Sequence, residues 1–151
     1  MDLYAAGPPG KSEVRWVPYP AAVHLTMMAD QQNKNGNRTV FDVAVYELGF
    51  SYDKMTGEIT VPIDGVYYLG LSVSAMAYEE AHIAVVNDGS LKLEAFSSSK
   101  PWGSMANQGV FPLKKGSKIW FEYAGMNKYF KKGYCTFTAF LLFPLDTPHP
   151  N

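Results

Sequence analysis

Val66-Tyr67-Tyr68-Leu69-Gly70-Leu71-Ser72-Val73-Ser74-Ala75-Met76-Ala77 places Tyr67, Leu69, Leu71 and Val73 on one side of an extended chain and Tyr68, Gly70, Ser72 and Ser74 on the other. Alternation of this kind describes a strand with one face in a core and one face in water. A second stretch departs from it. In Thr136-Phe137-Thr138-Ala139-Phe140-Leu141-Leu142-Phe143, one face carries Phe137, Ala139, Leu141 and Phe143, and the other carries Thr138, Phe140 and Leu142. Little polar surface is left on either side. The facing sheet of a sandwich covers only one of these faces, so the second calls for another subunit.

Outward from these two strands, short apolar runs alternate with turn signals and helical periodicity is nearly absent. The runs predict strands at 22–28, 39–46, 58–61, 66–77, 82–86, 91–96, 109–113, 118–123 and 134–143. Their ends fall at Asn35-Gly36, Thr56-Gly57, Asp64-Gly65, Asn87-Asp88-Gly89, Lys115-Gly116 and Lys132-Gly133, where Gly or Asn supplies the positive φ of a tight turn. Nine strands in this length predict an all-β fold of two packed antiparallel sheets.

The flanks are different. Residues 1–19 hold Pro8, Pro9 and Pro18 with Gly7 and Gly10, and read as a Pro/Gly-rich N-terminal arm. Within it, Gly7-Pro8-Pro9-Gly10-Lys11-Ser12 gives two Gly-X-Y triplets before Glu13 ends the period, too few for a triple helix. The globular domain is predicted over 20–145 and a C-terminal tail over 146–151.

Composition narrows the function. The 151 residues are 47% hydrophobic, 15% aromatic and 18% charged, with a net charge of −1, which suits one compact domain. That balance gives no field to gather nucleic acid or to hold an acidic membrane. No run is long enough for a spanning helix, and Met1-Asp2-Leu3 lacks the basic start and apolar run of a signal peptide, so the chain as written is expected to be soluble. Cys135 is the only cysteine, which excludes an intrachain disulfide and a Cys-rich zinc site and marks it as a small buried hydrophobe. The sequon Asn37-Arg38-Thr39 fits secretion.

Motifs for catalysis are missing: there is no Gly-rich phosphate loop, His-Glu-x-x-His pair, Cys-x-x-Cys or acidic calcium loop of the helix-loop-helix kind. His24 and His82 lie on or beside strands without a neighbour that marks a triad, and His149 lies in the tail. An enzyme would require His24 and His82 to converge with carboxylates around a metal. Glu79 and Glu80 are adjacent and point to opposite sides of an extended chain. Trp102, in Ser97-Ser98-Ser99-Lys100-Pro101-Trp102-Gly103, either presents its indole to a sugar ring or a partner, or folds back on the sandwich edge. Lys114-Lys115 and Lys131-Lys132 read as solvated turns.

The stretch from Val40 to Leu71 resembles the globular complement C1q domain, of the wider family that includes the tumour necrosis factor ligands, and the resemblance extends over roughly residues 20–145. Phe41, Tyr52, Gly65 and Tyr67 agree with the family's signature of spaced aromatics and a Gly-x-Tyr, whereas Glu47, Ile59, Leu69 and Leu71 depart from it. Val110 to Tyr123 resembles the family's penultimate hairpin, with Ser117 in place of an Asp, and residues 136–142 resemble its closing strand.

The resemblance implies a ten-stranded jelly-roll sandwich of two five-stranded antiparallel sheets. It implies a homotrimer joined through the sheet holding the first and last strands, with His24, Phe137, Phe140 and Leu142 as candidate contacts. It further implies a secreted, extracellular, non-enzymatic recognition protein that needs no cofactor. The favoured reading is a pattern-recognition lectin of innate immunity that binds microbial carbohydrate multivalently, with Tyr78 and Trp102 for stacking and Glu79, Glu80 and Lys100 for hydroxyls. The alternative is a trimeric ligand for a protein receptor, of the tumour necrosis factor or synaptic-organiser type. Some relatives hold calcium near the trimer apex; Asp88 is the lone carboxylate in the turn 87–90, too few oxygens to predict a metal.

Overall fold

The computed structural model describes residues 20–28, 31–32, 38–74, 81–97, 104–125, 129–130 and 135–145. In chain order the strands are β1 (Ala22–Thr26), β2 (Gln31–Gln32), β3 (Arg38–Thr39), β4 (Val43–Leu48), β5 (Ser51–Asp53), β6 (Glu58–Thr60), β7 (Gly65–Ser74), β8 (Ala81–Asn87), β9 (Ser90–Ser97), β10 (Ser104–Leu113), β11 (Lys118–Gly125), β12 (Tyr129–Phe130) and β13 (Thr136–Pro144). No helix occurs among the described residues. One sheet has the order β10-β7-β13-β1-β4; the other has β5-β6-β11-β8-β9, with β3 also paired to β11. A short β12-β2 pair stands apart.

The jelly-roll sandwich thus holds five and six strands, where five and five were expected. The additional strand comes from the run at 39–46, which the chain divides between the layers: β3 pairs with β11 in the six-stranded sheet and β4 pairs with β1 in the five-stranded one. Phe41 is buried at this crossing, and the Asp42 carboxylate accepts the Met28 N–H at 2.8 Å. The β5 strand also escapes a pattern search, because Ser-Tyr-Asp has one apolar residue. Its hairpin with β6 is closed by the Gly57 N–H to the Asp53 carbonyl, 2.7 Å. At the Asn87-Asp88-Gly89 turn the expected geometry appears, with φ of 47° at Asp88 and 82° at Gly89, two positive values in succession that suit a two-residue hairpin.

The aromatic residues shared with the C1q signature sit in or against one core. Phe41, Phe121 and Phe137 pack edge to face in sequence, with centroids 4.9 and 4.8 Å apart. The Tyr52 hydroxyl donates to the Phe41 carbonyl and the Tyr67 hydroxyl to the Ile63 carbonyl, at 2.7 and 2.8 Å. Burial pushes both phenols upward, Tyr67 to about 12. Gly65 sits where an added Cβ would lie 2.6 Å from Leu141. The positions that depart from the signature are filled by apolar residues or lie outside the core. Ile59, Leu69 and Leu71 are buried, and Glu47 is exposed.

β7 shows the expected alternation throughout, but β13 corrects its own reading twice. Phe137 is fully buried inside the single chain, leaving no side-chain surface to give to a subunit contact; it belongs to the core. Simple alternation places Phe143 on the same face as Phe137, yet it is exposed. The register to β7 slips between Leu141 and Phe143, leaving Leu142 as the extra residue. A bulge reverses which face the following residues address, and so Phe143 joins the outer face.

Candidate recognition surfaces

The outer face of the five-stranded sheet is built in rows set by register. Leu48, Ala22, Phe140, Tyr68 and Val110 lie opposite one another across all five strands. Phe140 stacks on Tyr68 with centroids 4.8 Å apart. Leu48, Phe140 and Val110 remain 42%, 37% and 56% exposed. Beside this row lie Phe143, Val66 and Pro112. The next row is polar: Tyr46, His24, Thr138, Gly70 and Gln108. His24 Nδ1 and Thr138 Oγ1 are 2.8 Å apart, and the Tyr68 hydroxyl donates to Gln108 Oε1 at 2.8 Å. Gly70 makes this possible, since a Cβ there would lie 2.6 Å from the Tyr68 hydroxyl. Small side chains from Gly70 to Ser72, Ala106 and Thr136 leave a hollow of about 470 Å³. Of the expected contact residues, His24, Phe140 and Leu142 stand on or beside this face and Phe137 does not.

Tyr78, Glu79, Glu80, Lys100 and Trp102 lie outside the described residues. The described strand ends on either side of them in sequence are paired, however. Ser74 lies opposite Ser104, their hydroxyls 3.1 Å apart, and Ala81 lies opposite Ser97. These paired strand ends flank the stretches 75–80 and 98–103 in sequence.

The outer face of the six-stranded sheet carries a second surface, which the sequence reading did not find. Across β9, β8 and β11, Glu94, Ala84 and Glu122 stand in one row; Phe96 and His82 lie on one side of it, and Leu91, Val86 and Trp120 on the other. Ala84 ends at its Cβ, so the centre of this array is a hollow of about 330 Å³. His82 Nε2 is 3.3 Å from Glu94 Oε1, and the Trp120 indole N–H donates to Glu122 Oε1 at 2.8 Å. Arg38 lies over the Trp120 ring, 4.6 Å from its centroid, and 3.5 Å from Glu58. Cross-strand register brings these residues together, and no spacing within one stretch of sequence reports it.

His24 and His82 occupy the outer faces of opposite sheets, so they do not converge on one centre. Asp88 has a structural task, its carboxylate accepting the Lys118 N–H at 2.8 Å. Among the described residues no three His, Cys, Asp or Glu side chains cluster as metal ligands. Cys135 is buried as expected.

A profile of the C1q domain matches residues 22–142. Complement C1q tumor necrosis factor-related protein 3 of Homo sapiens is 25% identical over 131 residues, which are 82% of this chain and 53% of that protein; the Mus musculus protein matches equally. The chain spans about half the length of these relatives. Among solved structures, the globular domain of zebrafish complement 1qA superposes with a TM-score of 0.66 at 18% identity, covering 83% of this chain and 99% of that one. The Eiger TNF of S. frugiperda gives a TM-score of 0.71 at 12% identity, with 88% and 98% covered.

Proposed function

Because the chain belongs to the C1q domain family, we propose that it is a secreted recognition protein. It assembles as a homotrimer through the outer face of the β10-β7-β13-β1-β4 sheet and binds microbial carbohydrate at the loop end. The observation that carries this reading is the pair of apolar rows around Phe140. They cross the central strand of a sheet whose other face is already in the core, and a second copy of the chain is the simplest way to remove them from water. Assembly in threes would bring three copies of the 75–80 and 98–103 stretches to one side. Weak single-site binding at Tyr78, Glu79, Glu80, Lys100 and Trp102 then becomes avid on a dense surface. A glycan array probed with and without calcium tests this. Selective saccharide binding that is lost in Trp102→Ala supports it, and absence of any saccharide binding by a confirmed trimer overturns it.

A trimeric ligand for a protein receptor is the second reading. The hollow over Ala84 favours it, because assembly through the other sheet would leave that surface facing outward.

A further inference from the structure

We propose that the hollow over Ala84 is a docking site for one lysine or arginine side chain carried on an extended, apolar segment of a protein partner. The inference rests on neither the trimer nor the loop-end reading, since β8, β9 and β11 belong to the sheet that assembly through the other face leaves outside.

Three features define the occupant. The floor is apolar, Ala84 with buried Val86, and suits the methylene stem of a long side chain. The walls are acidic: Glu94 and Glu122 flank Ala84 from the neighbouring strands, so their backbones stand about 9–10 Å apart, two strand spacings. Among the described residues, Glu94 is met by His82 and Glu122 by an indole N–H, and neither touches a lysine or arginine. The nearby Arg38 is engaged at Glu58 and Trp120 instead. The corners are apolar and open, with Leu91 52% and Phe96 59% exposed. A cation centred between the carboxylates, with apolar neighbours two residues away on either side, matches all three.

Other occupants fit less well. A divalent ion takes several protein ligands, and among the described residues no three His, Cys, Asp or Glu side chains cluster to supply them. A neutral sugar would give the two carboxylates hydrogen bonds but no opposite charge.

The test is a titration of the ¹⁵N-labelled full chain with the acetylated pentapeptide amide Leu-Ser-Arg-Ser-Leu, which puts both leucines on the arginine's face of an extended chain, against its counterpart in which neutral citrulline replaces arginine. The account expects amide shifts centred on Ala84, Glu94 and Glu122, and affinity about tenfold higher for the arginine peptide. That preference should be lost in the surface double variant Glu94→Gln/Glu122→Gln, while Ala84→Leu, which fills the hollow, should abolish the shifts. Equal response to both peptides, shifts centred elsewhere, or an undiminished preference in the double variant would overturn the proposal. So would a neutral saccharide moving the same amides.

Discussion

The two outer faces of this sandwich share one backbone plan and differ in chemistry. On the five-stranded sheet, register gathers Leu48, Phe140, Tyr68 and Val110 into a continuous apolar row, with Phe143 beside it. On the six-stranded sheet, the corresponding rows interleave apolar corners with Glu94, Glu122, His82 and Trp120. The first surface is costly to leave in water and suits permanent burial. The second is solvated by its own charges and suits intermittent contact. A second contrast lies within β13, between its inner and outer faces, where Phe137 is in the core and Phe140, three residues on, is partly exposed.

The largest effect is expected at Phe137. Phe137→Ala removes a ring packed against Phe121 inside the core and should cost about 3–5 kcal/mol in denaturant unfolding. Phe140→Ala, measured on isolated monomer, should cost about 1 kcal/mol, because its ring is already partly in water. Equal losses at the two positions would erase the distinction between the inner and outer faces of β13.

Raising pH probes the inner side again. Tyr67 ionises at about 12 in the fold and near 10 when unfolded. Above pH 10 the unfolded chain releases its proton first, so stability held below pH 10 falls as pH approaches 12, by on the order of 2 kcal/mol. Unfolding curves collected across that window should show the decline, and Tyr67→Phe should flatten it in part, since Tyr52 shifts in the same direction. The smallest effect belongs to the six-stranded sheet's surface. Arg38→Ala removes an exposed ion pair and a contact with Trp120, and should change stability by less than about 1 kcal/mol while leaving the assembled mass unaltered.

Much of this was legible in the sequence because it is local. The alternation of β7, the positive-φ turn at Asp88-Gly89 and the doubly apolar β13 each follow from neighbouring residues. The C1q likeness followed from Phe41, Tyr52, Gly65 and Tyr67. What escaped depends on the third dimension. The division of 39–46 between two sheets requires knowing that Phe41 is where the chain crosses, and the bulge at Leu142 requires knowing β7's register. The Glu94-Ala84-Glu122 row joins three strands that are distant in sequence. Its central residue, an alanine between Ile83 and Val85, looks like ordinary strand filling until the two glutamates stand on either side.

The central claim is that the row around Phe140 is covered by other copies of the chain. Light scattering coupled to size exclusion, on the wild-type protein and on Phe140→Asp, tests it most directly. The account predicts three times the chain mass for the wild type, and monomer or aggregate for the variant, in which an unpaired charge would be forced into the contact. A wild-type monomer, or a Phe140→Asp trimer indistinguishable from wild type, would contradict it.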